Sequence, residues 1–511
     1  MGITSFYFLC FFAAILIMYY IIPVRLQWGL LLLCSIAYYL LSGNGMLILY
    51  PIVSVSACYA GIRLLSVTPE KEGKRRRWIL AMTVLVNIGI LVVLKYVNFG
   101  IYTIDGIAKL FGSSDELIGS VDFLIPLGVS FYTFSLLGYV VDVYYGIAKP
   151  QENYLKLMLY GMYFPAILSG PILKYREHGE QFFTAHRFDY RQVTRGLQRM
   201  LWGFFKKLVI AERLGALVDT VYGSYTEYPG AYIWFATVCY AFQLYTDFSG
   251  CMDIVLGMSE SLGIVLPENF QTPFFAKSIA EYWRRWHITL GVWMKEYVFY
   301  PVLRSPFFTK LNKSWREKFG KKKGKQYATF AAMFLLWLTV GIWHGGDWKF
   351  VIGSGLLHWL YIVLEELLEP PCGRFMKKYR INPSGRMVNA LRILRTFLLV
   401  CIGDLFFRAA SVGDAFAMLG RAVSVWNPEV LWNGALFELG LDWIEMGIAL
   451  LALLLLYGVS LLQQKGSVRD WIAVRALPVR WLIWYALIFA VILLGCYGPG
   501  YSAGEFIYQG F

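Results

Sequence analysis

Long apolar runs separated by short polar loops fill this chain from end to end. Residues 5–22 form the first run and 29–41 the second. Ser42-Gly43-Asn44-Gly45 turns the chain into a third at 46–62, and a fourth follows at 78–96. Further runs cover 125–145, 155–172, 204–221, 231–258, 331–359, 392–407, 447–462 and 481–496. A membrane helix needs roughly 17–25 apolar residues, so the pattern predicts an all-α polytopic membrane protein. The first run exceeds the apolar part of a signal peptide, no charge precedes it, and Pro23-Val24-Arg25 is a poor cleavage site. It is expected to be retained as a span.

The polar residues between the runs give the orientation. Arg63 and Lys71 to Arg77, the loop 310–325, the loop 374–390 and the loop 465–480 are rich in Lys and Arg. Such loops stay in the cytoplasm, which puts both termini, and the tail 498–511, outside. Asp105, Asp115, Glu116, Glu429, Glu438 and Asp442 then fall on the external side. One conflict remains in the count of crossings. Runs 125–145 and 155–172 are two, yet the basic segment after them also reads as cytoplasmic. One of them is therefore re-entrant or broken, at Pro126, Gly128, Pro165, Gly170 or Pro171. Irregular backbone at membrane depth must be covered by protein or line a cavity. Residues 174–207 read as interfacial helix. The stretch 259–326 has no clean span, and its alternation of Trp, Tyr, Arg and Lys between 283 and 300 also suits the interface.

Composition narrows the class. Only 16% of the 511 residues are charged, and the net charge is +14. The basic residues lie in short loops between apolar runs, so the excess points to topology and anionic lipid head groups, not to nucleic acid. The eight cysteines are scattered, with no CxxC and no paired spacing, which argues against a disulfide framework or a metal site. No phosphate-cradling glycine loop occurs, so ATP is not expected as a substrate. No soluble domain or repeat interrupts the pattern.

Against this apolar background, ionisable residues inside the runs stand out. Trp343-His344-Gly345-Gly346 interrupts run 331–359. A desolvated imidazole stays neutral, and a neutral imidazole in a low-dielectric pocket is a general base. A structural histidine hydrogen-bonded between helices is the other reading. Asp247 and Asp253 lie in run 231–258, where carboxylates face protein or water, never lipid. His178 and His186 fall in a charged loop and read as solvated. His358, fourteen residues after His344, would lie about four turns along an unbroken helix and reads as packing.

Five clusters add up to a resemblance. They are Pro126-Leu127-Gly128-Val129-Ser130-Phe131-Tyr132-Thr133-Phe134, Ser169-Gly170-Pro171-Ile172 and Tyr245-Thr246-Asp247-Phe248-Ser249-Gly250-Cys251-Met252-Asp253. The fourth runs from Pro267-Glu268-Asn269-Phe270 through Glu281-Tyr282-Trp283-Arg284-Arg285-Trp286-His287-Ile288-Thr289-Leu290, and the last is Gly341-Ile342-Trp343-His344-Gly345. Together they resemble the membrane-bound O-acyltransferases (MBOAT), in the bacterial polysaccharide branch that acetylates alginate or peptidoglycan. The D-alanyl transfer protein of teichoic acid synthesis is a closer cousin than the eukaryotic lipid enzymes. The resemblance implies a single domain over 1–511, with core motifs at 120–360. It also implies a funnel of about eleven or more transmembrane or re-entrant helices with interfacial helices around a thinned centre.

For the site, the resemblance implies that His344 is the catalytic histidine and His287 the second, cytoplasm-side one. An interfacial histidine with a wet ring is the alternative for His287. Arg284, Arg285 and Lys295 would attract the phosphates of a thioester donor, and Trp343 and Asp247 join them as substrate-binding residues. For Asp247 and Asp253 a structural role, pairing with arginine or capping a broken helix, stands beside that. The implied donor is acetyl-CoA, with an acyl carrier protein thioester as second choice. Implied partners are an extracytoplasmic esterase-like transferase of the SGNH type, a cell-envelope polysaccharide, a cytoplasmic carrier protein and membrane lipids, at the bacterial cytoplasmic (inner) membrane. The end Phe506-Ile507-Tyr508-Gln509-Gly510-Phe511 resembles the Phe-x-Tyr-x-x-Phe terminus of polymer-acylating members, whose tyrosine is thought to carry the acyl group. An aromatic anchor at the bilayer edge is the other reading. The rival functions are D-alanyl transfer to teichoic acid from a carrier protein, acylation of a lipid or of a protein in the membrane, and, in another class, a transporter or flippase of lipid-linked saccharide.

Overall fold

The computed structural model describes residues 2–42, 45–112 and 118–498. Gly43 and Asn44 of the first turn, Asp115 and Glu116 of the acidic loop, and the end of the tail with Tyr508 lie outside the described residues. Among the described residues every regular element is a helix. Seven are long and apolar enough to cross a membrane: Val24–Leu41, Gly45–Val67, Gly73–Leu110, Lys321–His344, Trp348–Lys378, Trp443–Gln463 and Leu477–Leu494. Two shorter apolar helices, Phe6–Ile21 and Val129–Tyr144, account for runs 5–22 and 125–145. The all-helical, multi-pass architecture read from hydropathy is what the chain adopts.

The exposed faces of these helices show their solvent. Leu477–Leu494 buries no side chain, and its Leu482 and Leu493 are 72% and 74% exposed. Trp443–Gln463 bares Leu450, Leu451, Leu454 and Leu455 on one turn after another. In water such a surface would drive aggregation. Against acyl chains it is at no disadvantage.

The chain forms two compact units. The first is built from Met1–Phe204 and Gly250–Pro267. Here run 155–172 proves to be the broken one: helix Tyr154–Met162 stops at Tyr163, and Phe164–Ser169 restarts with Pro165 in its first turn. Gly128 explains why the first two motifs lie together. Its φ is +67°, and a Cβ there would stand 1.8 Å from the Ile167 carbonyl oxygen, so only glycine fits. The Leu173 amide donates to Ser135 Oγ (3.0 Å), and the Tyr160 hydroxyl donates to the Leu173 carbonyl (2.8 Å). Irregular backbone is thus paired with protein, as membrane depth demands. The stretch 174–207 contains helix Tyr190–Phe204, whose Arg199 pairs with Asp253 at 2.9 Å.

The second unit is built from Phe205–Ser249 and Glu268–Gly504. Two of its features depart from the hydropathy reading. First, run 204–221 is no uniform apolar crossing: it buries Lys206, Lys207 and Arg213, and Phe205–Ala211 is a π-helix. Lys207 and Glu212, five positions apart, would lie about 140° apart around a regular α-helix. Widening the winding to i→i+5 bonds brings them to one side. There Lys207 Nζ sits 2.6 Å from Glu212 and 2.5 Å from Asp247. Second, run 331–359 is two helices. Lys321–His344 ends on His344 itself, and a new helical segment begins at Trp348. His358 therefore does not share a helix with His344. It packs against Trp283 and Trp337, with ring centroids 5.1 and 5.9 Å away.

Candidate active site

His344 is positioned by close backbone packing. A Cβ on Gly341 would stand 2.8 Å from Val351 Cα, and one on Gly355 would stand 2.7 Å from the Trp337 carbonyl oxygen. Helix Lys321–His344 therefore lies almost backbone on backbone against the π-segment Val351–Leu356, the approach that small residues permit between membrane helices. Asp347 caps the new start by accepting from the Lys349 amide (2.9 Å). The imidazole at the helix end meets Phe407 edge-on at 5.7 Å, and Phe350 packs on the Phe407 ring at 4.9 Å.

His287 comes from another part of the chain. It joins the short helices Ile279–Trp283 and Ile288–Met294 with φ +46°, a left-handed conformation that a non-glycine residue keeps only when its surroundings hold it. They do. The Ile288 amide donates to the Asn269 carbonyl (3.0 Å) and the Gln271 amide to the Arg285 carbonyl (2.9 Å), so residues 269–271 run beside 285–288. Phe248 stands edge-on to the imidazole at 4.9 Å, and the Asn269 side-chain amide lies against Nδ1.

The His287 ring is 1% exposed. Burial pushes its pKa down from 6.5 to about 3, so the ring is neutral at physiological pH. The unfolded chain takes up a proton near 6.5 while the folded one does not. The stability linked to this residue is therefore complete above pH 6.5 and drains as pH falls toward 3.

Trp343 joins the two histidines. Its indole lies 5.6 Å from the His287 ring and 5.2 Å from that of His344. All three side chains are buried. Two buried imidazoles thus flank one indole, with Phe248 against His287 and Phe407 against His344.

The other predicted residues stand in different surroundings. Arg285 is held by Glu281 (2.7 Å) and by the Thr272 hydroxyl (3.1 Å). Arg284 and Lys295 are exposed, the latter with its ammonium 5.7 Å from the centre of the Tyr300 ring. Asp247 belongs to the buried cluster with Lys207 and Glu212. Four contributing residues are not singled out by the sequence. Asn269 lies in the Pro267-Glu268-Asn269-Phe270 motif with nothing local to mark its role, Phe407 carries no signal, and the adjacent Lys206-Lys207 opening an apolar run is the one signal present.

Comparison with known proteins gives the family of the chain. The model of the MBOAT, membrane-bound O-acyltransferase family, matches residues 149–412, which include Asn269, His287, Trp343 and His344. The protein named "Probable alginate O-acetylase AlgI" from Pseudomonas aeruginosa is 30% identical over 402 residues, 78% of this chain and 70% of that protein. The peptidoglycan O-acetyltransferase of Helicobacter pylori is 27% identical over 382 residues, 70% of this chain and 66% of that protein. The teichoic acid D-alanyltransferase of Bacillus subtilis is 29% identical over 286 residues, 55% of this chain and 68% of that protein. A family match across more than half of the 511 residues, with a 30% identical relative spanning most of both sequences, makes the conclusion plain. This multi-pass membrane protein is an acyltransferase and belongs to the membrane-bound O-acyltransferase family.

Proposed function

We propose that the protein moves an acetyl group from a cytoplasmic thioester across the membrane, for O-acylation of an extracytoplasmic polysaccharide. The observation that carries this reading is the pair of buried imidazoles on one indole. His344 takes the proton of an acceptor hydroxyl as its oxygen attacks the thioester carbonyl. A C–O bond forms, the tetrahedral intermediate collapses, the C–S bond breaks, and the leaving thiolate recovers the proton from the imidazolium. Acetyl-CoA is the donor, drawn in by Arg284, Lys295 and the basic segment 310–325, which lies on helices Pro306–Phe319 and Lys321–His344. The likeness to alginate and peptidoglycan acetylating proteins supports acetyl. The likeness to a teichoic acid D-alanyltransferase supports a second reading, D-alanyl from a carrier protein. Membership of an acyltransferase family leaves a flippase without support.

The first acceptor in this scheme is the Tyr508 phenol, whose reference pKa near 10 makes it easier to deprotonate than an alcohol. The tyrosyl ester then passes its acyl group to an SGNH-type transferase outside the bacterial inner membrane, which places it on the polymer. Residues 1–511 act as one domain, a funnel of about eleven or more crossing or re-entrant helices. Tyr508→Phe keeps the aromatic ring and deletes only the oxygen, so it is expected to abolish polymer acetylation, read as ester-linked acetate. Normal acetylation in that variant would make the tail an anchor. The scheme also needs the donor side inside. A cysteine introduced at position 322, in a chain whose exposed Cys10 and Cys372 are replaced by serine and whose other six cysteines are buried, should resist an impermeant thiol reagent in intact cells and react after lysis. Ready labelling in intact cells would invert the topology.

A further inference from the structure

We infer that Asn269 is a positioning residue that fixes the tautomer of His287, keeping the proton on Nε2, so that His287 serves acyl transfer as a hydrogen-bond donor and not as a second base. The inference deepens the reading given under Proposed function and rests on it for the reaction.

The hydrogen bonds around Asn269 leave little choice. Its side chain is fully buried. Oδ1 accepts from the Thr289 amide at 3.0 Å, and an amide only donates, so that atom is the oxygen and the carboxamide cannot be flipped. The Thr289 hydroxyl donates to the same oxygen at 3.0 Å, filling its second lone pair. His287 Nδ1 lies 3.1 Å from Asn269 Nδ2 and 3.2 Å from Oδ1. With the oxygen saturated, the contact that bonds is Nδ2–H to the Nδ1 lone pair. A proton on Nδ1 would set two donors against each other in a buried place. The neutral ring therefore carries its hydrogen on Nε2.

The consequence is a division of labour. A nitrogen bearing hydrogen cannot take the proton of the acceptor hydroxyl, so that task stays with His344. Nε2–H of His287 can instead donate to the thioester carbonyl oxygen as negative charge builds there. Burial strengthens such a donor, because no water competes for it. The backbone strain at His287 fits this view, since the ring's direction is held by the 269–271 segment and not by a helix.

The test combines a spectrum with kinetics. Asn269→Asp keeps the oxygen that Thr289 needs but replaces the N–H with a second acceptor, which demands a proton on Nδ1 and inverts the tautomer. The chain has five histidines, so ring-15N-histidine protein in nanodiscs gives a countable spectrum, with His287 assigned by its loss in His287→Gln. The expected wild-type result is an Nδ1 without hydrogen and an Nε2 bearing one. In Asn269→Asp the two should exchange, with kcat down by about 10²–10³-fold and KM for the donor unchanged. A wild-type Nδ1–H overturns the inference and needs no variant to fold. Wild-type kcat in a folded Asn269→Asp protein overturns the donor role. Failure of the wider reading looks different: His344→Ala would then keep its activity, whatever the state of the His287 ring.

Discussion

Replacing His344 with alanine is expected to lower acyl transfer by about 10²–10⁴-fold, the usual worth of a general base. The side chain closes helix Lys321–His344, is 2% exposed, and lies in ring contact with Trp343 and Phe407. Alanine removes the imidazole but keeps the helix end, since the break is made by the tight approach of Gly341 and Gly355 to their neighbours and by the Asp347 cap. His344→Gln is the companion variant, because it refills most of the volume without a titratable nitrogen. Ester-linked acetate on the polymer, measured at matched membrane levels and with an unchanged gel-filtration profile, reads the result. Loss in both variants fits base catalysis. Loss in alanine alone, with glutamine active, would reduce His344 to a packing residue.

A second large effect is expected far from the histidines, at Lys207. Its ammonium serves both Asp247 and Glu212 in a place where Asp247 is 1% exposed. Beside it the Lys206 ammonium donates to Ser249 Oγ at 2.8 Å. Lys207→Met leaves two carboxylates without that cation. Removing one partner from a buried ion pair costs about 3–5 kcal/mol. Without the pairing, the π-winding of Phe205–Ala211 also loses its reason. The variant should lose its monodisperse peak at a clearly lower temperature than wild type in the same detergent. Exchanging the aspartate for asparagine should cost less, because an amide oxygen still accepts from the ammonium. A Lys207→Met protein as heat-resistant as wild type would show the cluster to be dispensable.

What the sequence made legible follows from what sets each feature. Membrane helices are fixed by length and hydropathy, so the runs that became Gly45–Val67 or Trp443–Gln463 could be read directly. The break at Tyr163 was foreshadowed by Pro165, Gly170 and Pro171, and His344 stood out because an ionisable group in an apolar run is rare. At its start, helix Gly73–Leu110 outran its predicted 78–96 core because lysine and arginine are good helix formers and do not stop a helix at the membrane edge. The π-turn at 205–211 could not be read, since it depends on Asp247 meeting Lys207 from a distant helix. Asn269 was equally hidden. Its role is made by Thr289 and by the left-handed backbone of His287, neither of which local propensity announces.

Whether the chain transfers acetyl from a thioester by way of His344 can be asked of the purified protein alone. Wild type and His344→Ala, each in nanodiscs, would be mixed with isotopically labelled acetyl-CoA, and free thiol and protein-bound label followed together. The expected result is thiol release matched by an alkali-labile acetyl ester on the wild-type chain, mapped by tandem mass spectrometry to Tyr508, with both signals absent in the variant. Equal thiol release and equal labelling in the two proteins would contradict it.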